Sequence, residues 1–535
     1  MKRFAAWLVT AAAALSPTAA FPCGGFFCSG GPNNPPPVIQ TGENILFGFE
    51  TGGEVTAHVQ INYSGEPRAF AWIVPVPAVP TLSVGSDQLF TLLDQGSTPT
   101  FAARFTNGCT QPASFGCGAG GVALQSGAQD AGSTGGVTVI SQAPVGPFET
   151  AILSTTNPKS LQEWLVANGF DVSPATDALI APYAAKGDYF VALKLQSNKS
   201  VGDLQPIVLK YKSTEGPCVP IRLTAAAAMP DMGVRVYLLG PSRAVPVNYL
   251  HLVLNEARIN WVSRGSNYQS VVSAAADEAG GRGFVTDYAG SNAPVRQPLS
   301  AALARYNRST LDATTPDAFV RAVRATGFLG TSQNVLALLQ RCVPIPASVT
   351  TAPFNFYNFW ESFQSQVTQT TVEQPKCGDD FDTLVVEPLR SADAMMGRLP
   401  ILTRLFTTMS ASEMTLDPIF VLNPDLPEVP AARVLNAELE CNSSGQPVRA
   451  TFTGSDGARF NVPFGGTLAD APALLRAEKL SERGAPVVML DNTARAKDLN
   501  RSTIGMGCMV AGGGSLVAMG MAALILLARR RRLAR

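Results

Sequence analysis

The stretch Val55-Thr56-Ala57-His58-Val59-Gln60-Ile61-Asn62-Tyr63 alternates apolar and polar side chains over its whole length. Successive side chains of a strand leave on opposite faces, so a period of two predicts a strand with one buried and one wet face. The flanking sequence extends the pattern. Upstream, Asn44-Ile45-Leu46-Phe47-Gly48-Phe49 joins it through a Gly52-Gly53 turn. Downstream, a Ser64-Gly65-Glu66-Pro67 turn leads into Phe70-Ala71-Trp72-Ile73-Val74, a continuous apolar run of the kind a strand buried on both faces carries. Pro75, Pro77 and Pro80 then end the pairing, because proline has no N–H to give a ladder. The chain thus begins as a β-meander. Residues 118–136, rich in Gly, Ala and Ser, read as a surface loop within it.

Further strands are expected at Tyr189 to Leu195, Ile207 to Tyr211 and Val234 to Leu239. Helices enter at Ser160-Leu161-Gln162-Glu163, which has the form of a capping box, with Leu161, Trp164 and Leu165 on one face and Asn168-Gly169 as the stop. After Tyr268 the pattern turns helical: Tyr268 to Glu278, Leu299 to Tyr306, Pro316 to Ala325 with Thr315 as cap and Gly327 as terminator, and Ser332 to Cys342. The aromatic cluster Phe354, Phe356, Tyr357, Phe359, Trp360 and Phe363 reads as core. The fold class is α+β, with a mainly antiparallel β N-terminal half and a helical middle. Residues 21–345 form its core. Residues 346–500 form a second α+β segment, separate from the first or continuous with it, the Pro-rich stretches 343–353 and 424–430 being seams or turns within one domain.

The two ends set the compartment. Lys2-Arg3, the apolar Phe4 to Leu15 and Thr18-Ala19-Ala20 make residues 1–20 a signal peptide, cut after Ala20. Within residues 501–535, Cys508 precedes an uncharged run, Met509 to Ala528, that as a helix reaches about 30 Å, the thickness of a bilayer's hydrocarbon core. Arg529, Arg530, Arg531 and Arg532 then act as the stop-transfer cluster that stays in the cytoplasm. Everything between is an ectodomain. Removing the seven basic residues of the two ends leaves 33 basic against 40 acidic residues. A net charge near −7 does not seek phosphate backbones, so nucleic acid is not an expected partner.

Eight cysteines precede the tail: Cys23, Cys28, Cys109, Cys117, Cys218, Cys342, Cys377 and Cys441. An even count in an exported chain reads as disulfides. Close spacing favours Cys23–Cys28 and Cys109–Cys117, and the other four admit three connectivities. No C-x-x-C pair and only two histidines argue against zinc, and no cofactor is expected.

No catalytic set emerges. His58 falls on the polar face of its strand, and His251, in Tyr249-Leu250-His251-Leu252-Val253-Leu254, reads as half-buried and hydrogen-bonded. Asp379, Asp380 and Asp382 could offer oxygens to calcium but lack the Gly and Glu spacing of an EF-hand loop. Glu413 and Asp417, four apart, could share a helix face, although Ser410 with Glu413 also matches a capping box.

Several segments together resemble the domain-of-unknown-function 2330 family of exported bacterial proteins. They are Cys23-Gly24-Gly25-Phe26-Phe27-Cys28, Phe70-Ala71-Trp72-Ile73-Val74-Pro75-Val76-Pro77, Val145-Gly146-Pro147-Phe148, and Leu405-Phe406-Thr407-Thr408-Met409 with Glu413-Met414-Thr415-Leu416-Asp417-Pro418. The resemblance implies an exported or membrane-attached protein and brings no catalytic residue with it. Gly507-Cys508, the apolar run and the arginine cluster resemble the MYXO-CTERM sorting tail of myxobacterial proteins. That implies cleavage near Cys508 by a sorting protease and attachment at the cell surface; the alternative is a permanent membrane anchor. The expected function is a non-catalytic binding or scaffolding role in the cell envelope, toward an envelope or extracellular partner. The competing expectations are a carboxylate-dependent secreted hydrolase and a calcium-dependent binding module.

Overall fold

Strands Ile39–Phe49 and Glu54–Ser64 pair antiparallel as the alternation predicts, with Ile45 opposite Val59 and Phe47 opposite Ala57. Gly52 and Gly53 make the turn at φ 73° and 74°, a left-handed backbone that glycine adopts without a Cβ clash. The structure, a computed structural model, describes residues 39–64, 71–109, 137–170, 176–196, 205–329, 332–374 and 376–505. The signal peptide with Ala20, Cys23, Cys28, Cys117, the 118–136 loop, and the tail with Cys508 and Arg529 to Arg532 lie outside the described residues.

The hairpin sits inside a ten-stranded sheet. From edge to edge its strands are Val487–Asp491, Leu474–Lys479, Leu250–Leu254, Gly283–Ser291, Ile401–Met409, Ala228–Gly240, Ile39–Phe49, Glu54–Ser64, Ile207–Lys212 and Thr81–Val84. Ile39–Phe49 runs parallel to Ala228–Gly240, and Leu250–Leu254 parallel to Gly283–Ser291. The sheet is therefore mixed, its pairs mainly antiparallel as expected, with parallel pairing at these two places. Local turn signals reveal hairpins; they carry no trace of a partner strand reached after almost 180 residues.

One face of this sheet, with Leu46, Tyr237, Leu239 and Leu402, is covered by helices that include Asp87–Ser97, Ala293–Arg305, Pro316–Ala325, Gln333–Cys342 and Glu387–Arg398. The other face, with Ile45, Phe47, Val55, Val59, Val234 and Val236, packs on a four-stranded antiparallel sheet ordered Ala71–Val76, Tyr189–Leu195, Phe148–Ser154, Thr138–Val145. Ile73, Phe190 and Ala192 on the far side of that sheet meet Leu161, Trp164, Leu165 and Ile180 of two more helices, Pro158–Ala167 and Thr176–Lys186. A further four-stranded sheet, Arg459–Pro463, Pro447–Thr453, Ala432–Cys441 and Thr100–Phe105, shares a fourth core with helix Tyr268–Glu278.

Helices Tyr268–Glu278 and Pro316–Ala325 have the expected bounds, and Thr315 caps the second by accepting from the Ala318 N–H at 3.4 Å. Phe356, Tyr357 and Trp360 are core, whereas Phe354 and Phe359 are exposed. His58 departs from expectation. It is only 2 % exposed, its Nδ1 has no hydrogen-bond partner, and burial lowers its pKa to about 4, so the ring is neutral. The face read as wet is closed because Leu46, opposite His58, belongs to the core under the helices.

Cys109 bonds to Cys441 rather than Cys117, and Cys342 bonds to Cys377. Thr100–Phe105 lies parallel to Ala432–Cys441, and Asn107 prolongs the pairing by donating to the Leu439 carbonyl at 2.7 Å and accepting from the Leu439 N–H at 2.6 Å. That brings Cys109 beside Cys441, its Cα 5.9 Å away across 332 residues of sequence. Cys218, a disulfide candidate, is a free thiol among the described residues.

Two predictions follow from this architecture. Cys109→Ala, Cys441→Ala and the double variant should lose the same stability, about 2–4 kcal/mol in chemical denaturation, because either change opens the same loop; Cys117→Ala should leave that bond intact by peptide mapping. Glu43, 2 % exposed and held only by Thr224 and Gln40 at 3.2 Å each, has its carboxyl pushed up to about 7 by burial. A carboxyl raised on folding stabilises fully below its unfolded value near 4.5 and loses that contribution as pH rises through 7. Glu43→Gln should therefore weaken the fall in stability between pH 5 and pH 8 by about 3 kcal/mol, read from denaturation midpoints at each pH.

Candidate binding site

Strand Gly283–Ser291 is irregular where it meets Ile401–Met409. Thr286 pairs with Leu405 and Tyr288 with Arg404, leaving Asp287 as an extra residue between them. A bulge of this kind turns its side chain out of the normal alternation and frees main-chain groups from the ladder. Asp287 is completely buried and accepts from Arg404 Nε at 3.0 Å and from the Tyr268 hydroxyl. Burial raises its carboxyl above the usual range, and Arg404 and Tyr268 oppose that rise. Arg404 also reaches Thr98 Oγ1 at 2.6 Å and Asp94 at 2.9 Å, and lies over the Tyr237 ring at 5.5 Å.

The main chain of the bulge faces a second set of arginines. Arg433 donates to the Thr286 and Asp287 carbonyls at 3.1 and 2.8 Å, and Arg243 donates to Thr286 Oγ1 at 3.0 Å and to the Pro427 carbonyl at 3.0 Å. Thr286 is thereby flanked by two guanidinium groups. Both line a cavity of about 350 Å³ in the wedge between the large sheet and the 432–463 sheet. Phe101, Trp261 and Tyr268 form its aromatic wall, with Phe101 5.4 Å from Trp261 and 5.1 Å from Tyr268 between ring centroids. Gly265, at φ 72°, lies so close to Phe101 that a Cβ there would fall 2.3 Å from the ring, so this turn and this wall require each other.

The lining is strongly basic. Arg243, Arg433, Arg459, Arg476 and Lys497 stand against Glu256 and Asp456, although residues 21–507 carry more acidic than basic residues. Arg459 is paired with Glu438 and Arg476 with Glu478. Glu256 and Asp456 are taken up by the N–H groups of Ser455 and Ala458, at 2.8 Å each.

His251 also lines the cavity, and its Nδ1 is 3.1 Å from Glu478 Oε2. Burial lowers the pKa of the ring, and the hydrogen bond from His251 lowers that of Glu478. A neutral imidazole beside a carboxylate donates through Nδ1, so its proton position is fixed. The histidine was legible as half-buried and bonded; its partner, 227 residues away, was not.

The other sequence candidates do not assemble. Asp379 and Asp382 are both claimed by Arg308, at 2.6 and 3.1 Å, and Asp380 by Arg341 at 2.6 Å, so each carboxylate is spent on a guanidinium. Among the described residues no group of three or more acidic, His or Cys side chains could hold a metal ion. Glu413 and Asp417 do not share a helix, because residues 410–418 form turns. Glu413 accepts from the Ser410 N–H at 2.7 Å, whereas Asp417 accepts from the Tyr183 hydroxyl at 2.8 Å and the Arg222 N–H at 3.1 Å.

Asp417 borders a second cavity, of about 430 Å³, with Cys218 and Lys186. Burial and the nearby Asp417 push the Cys218 thiol up, the reverse of what a nucleophile needs. Lys186 is engaged by Glu215 at 2.6 Å. No described helix is long and apolar enough to cross a membrane.

The Asp287–Arg404 pair, 1 % and 5 % exposed at the side chains, should be costly to break. Asp287→Asn should lower unfolding free energy by about 3–5 kcal/mol, and the double variant Asp287→Leu with Arg404→Met should recover much of that loss, measured as a double-mutant cycle in denaturant.

The sequence profile of a family described as an uncharacterized protein conserved in bacteria, DUF2330, matches residues 18–295, just over half of the chain. No curated protein and no solved structure matches it.

Proposed function

The chain belongs to the DUF2330 family, and on that footing we propose that it is an exported envelope protein, held at the membrane or cell surface through its C-terminus, that binds its ligand without transforming it. The observation that carries the reading is the chemistry of the wedge cavity. Its charged surface is made mostly of guanidinium groups, which remain protonated and only donate hydrogen bonds. Such groups hold and orient a ligand but cannot take its proton. The one imidazole in the lining is tied to Glu478.

The compartment is supported separately. Two disulfides point to an extracytoplasmic protein, since such bonds persist outside reducing compartments. The signal-like residues 1–20, and Cys508 ahead of an apolar run and four arginines, support export and anchoring, with the sorting protease as the processing partner and the membrane as the surface held.

Intact-mass measurement and fractionation of the protein from its host test both parts. The expected species begins at Phe21 and is found at the cell surface ending near Cys508, or retains the tail in the inner membrane. Cys508→Ser should abolish surface attachment if the tail is processed. A full-length cytoplasmic species with reduced cysteines would defeat the reading, as would turnover of ester, peptide or glycan substrates by the purified protein.

A further inference from the structure

We propose that the wedge cavity is a binding site for a compact ligand bearing one anionic group, a carboxylate or a phosphate, on a planar or apolar body. The anion is received by Arg243 and Arg433 at Thr286, and the body lies against Phe101, Trp261 and Tyr268. This rests on the binding role proposed above and names its ligand class.

The first ground is a buried charge with no direct partner. Arg243 is 8 % exposed; among the described residues no carboxylate lies within ion-pair distance of it, and Glu478, whose charge acts on it from farther off, is already paired with Arg476 and His251. Its partners are the neutral Pro427 carbonyl and Thr286 hydroxyl, and its Nε is buried with no acceptor. A guanidinium carries five donors, so most of its capacity is unspent. Burying an ion without a counter-charge is expensive unless something supplies one. Burial accordingly draws its pKa down to about 10, which still leaves it charged at neutral pH.

The second ground is convergence. Arg433 approaches the same residue from its main-chain side and likewise bonds only carbonyls, those of Pro430, Thr286 and Asp287. The Asp287 carboxylate acts on Arg433 only through space and is ion-paired with Arg404. Two guanidinium groups around one anchor suit a planar or tetrahedral oxyanion, which they can grip through several parallel N–H donors.

The third ground is the opposite wall. Phe101 and Trp261 are buried yet line the cavity, and an aromatic face beside charged donors is the usual make-up of a small-ligand site. The volume, about 350 Å³, fits a molecule of ring size carrying one substituent.

Benzoate, phenyl phosphate and the neutral isostere benzamide, titrated against the full-length protein in detergent, test the assignment by calorimetry and thermal shift. Benzoate or phenyl phosphate should bind saturably and raise the melting temperature, the stronger of the two identifying the anion, while benzamide binds at least about tenfold more weakly. Arg243→Gln should reduce anion affinity about 30-fold or more, and Arg243→Lys should recover part of it. Arg433→Gln, nearer the rim, gives an independent reading if Arg243→Gln fails to fold. Arg321→Gln, at a residue outside the cavity held by Asp317 and Glu361, should change little. Benzamide binding as well as benzoate, or anion affinity unchanged in both Arg243→Gln and Arg433→Gln, would overturn the anion assignment and leave the binding role standing. Binding of none of the three probes would overturn both.

Discussion

The buried pair of Asp287 and Arg404 is the constraint around which the molecule is organised. It joins two neighbouring strands of the large sheet, and through Tyr268, Thr98 and Asp94 it ties that sheet to a helix on each side. An ion pair placed this deep needs its remaining donors and acceptors met, and Tyr268 from one helix and Asp94 and Thr98 from the end of another meet them. Its most important effect is subtractive. Because the bulge commits Asp287 to Arg404, no carboxylate among the described residues forms an ion pair with Arg243 or Arg433, and Asp287 and Glu478 offset the positive charge of the wedge only from a distance.

Much of the local structure was readable from the residues. The alternation from Val55 to Tyr63 fixed a strand and its neighbour, and the Thr315 cap fixed a helix start, since these signals act over a few residues. What could not be read was anything decided by a distant partner. His58 occupies the polar register of its strand, and only the helices laid over that face make it a core residue. The spacing of Cys109 and Cys117 suggested a local bond, yet a parallel pairing between strands more than 300 residues apart sets Cys441 beside Cys109.

The site illustrates the same limit. Not one of its basic residues lies in a motif: Arg243 follows a glycine-proline turn, Arg433 a proline-rich stretch, and Arg476 and Lys497 belong to the last strands and helix. The bulge that gathers two of them is a register shift, which leaves no mark in composition. A weak clue did exist in the acidic excess of residues 21–507, against which any basic cluster is unexpected. Conversely, the acidic run at Asp379, visible in sequence, proved to be matched by arginines from other segments.

Strand Ile401–Met409 lies between Ala228–Gly240 and Gly283–Ser291, so the middle of the large sheet is filled by one of its last segments. A chain delivered N-terminus first must therefore hold two unsatisfied strand edges apart while more than a hundred further residues arrive. Such non-local closure is slow, and open edges invite mispairing during the wait. The helical middle, residues 293–398, is what is made in that interval, and its helices cover one face of the sheet whose centre is still missing. The order of elements along the chain thus gives the unfinished sheet a cover before it gives it its last central strand.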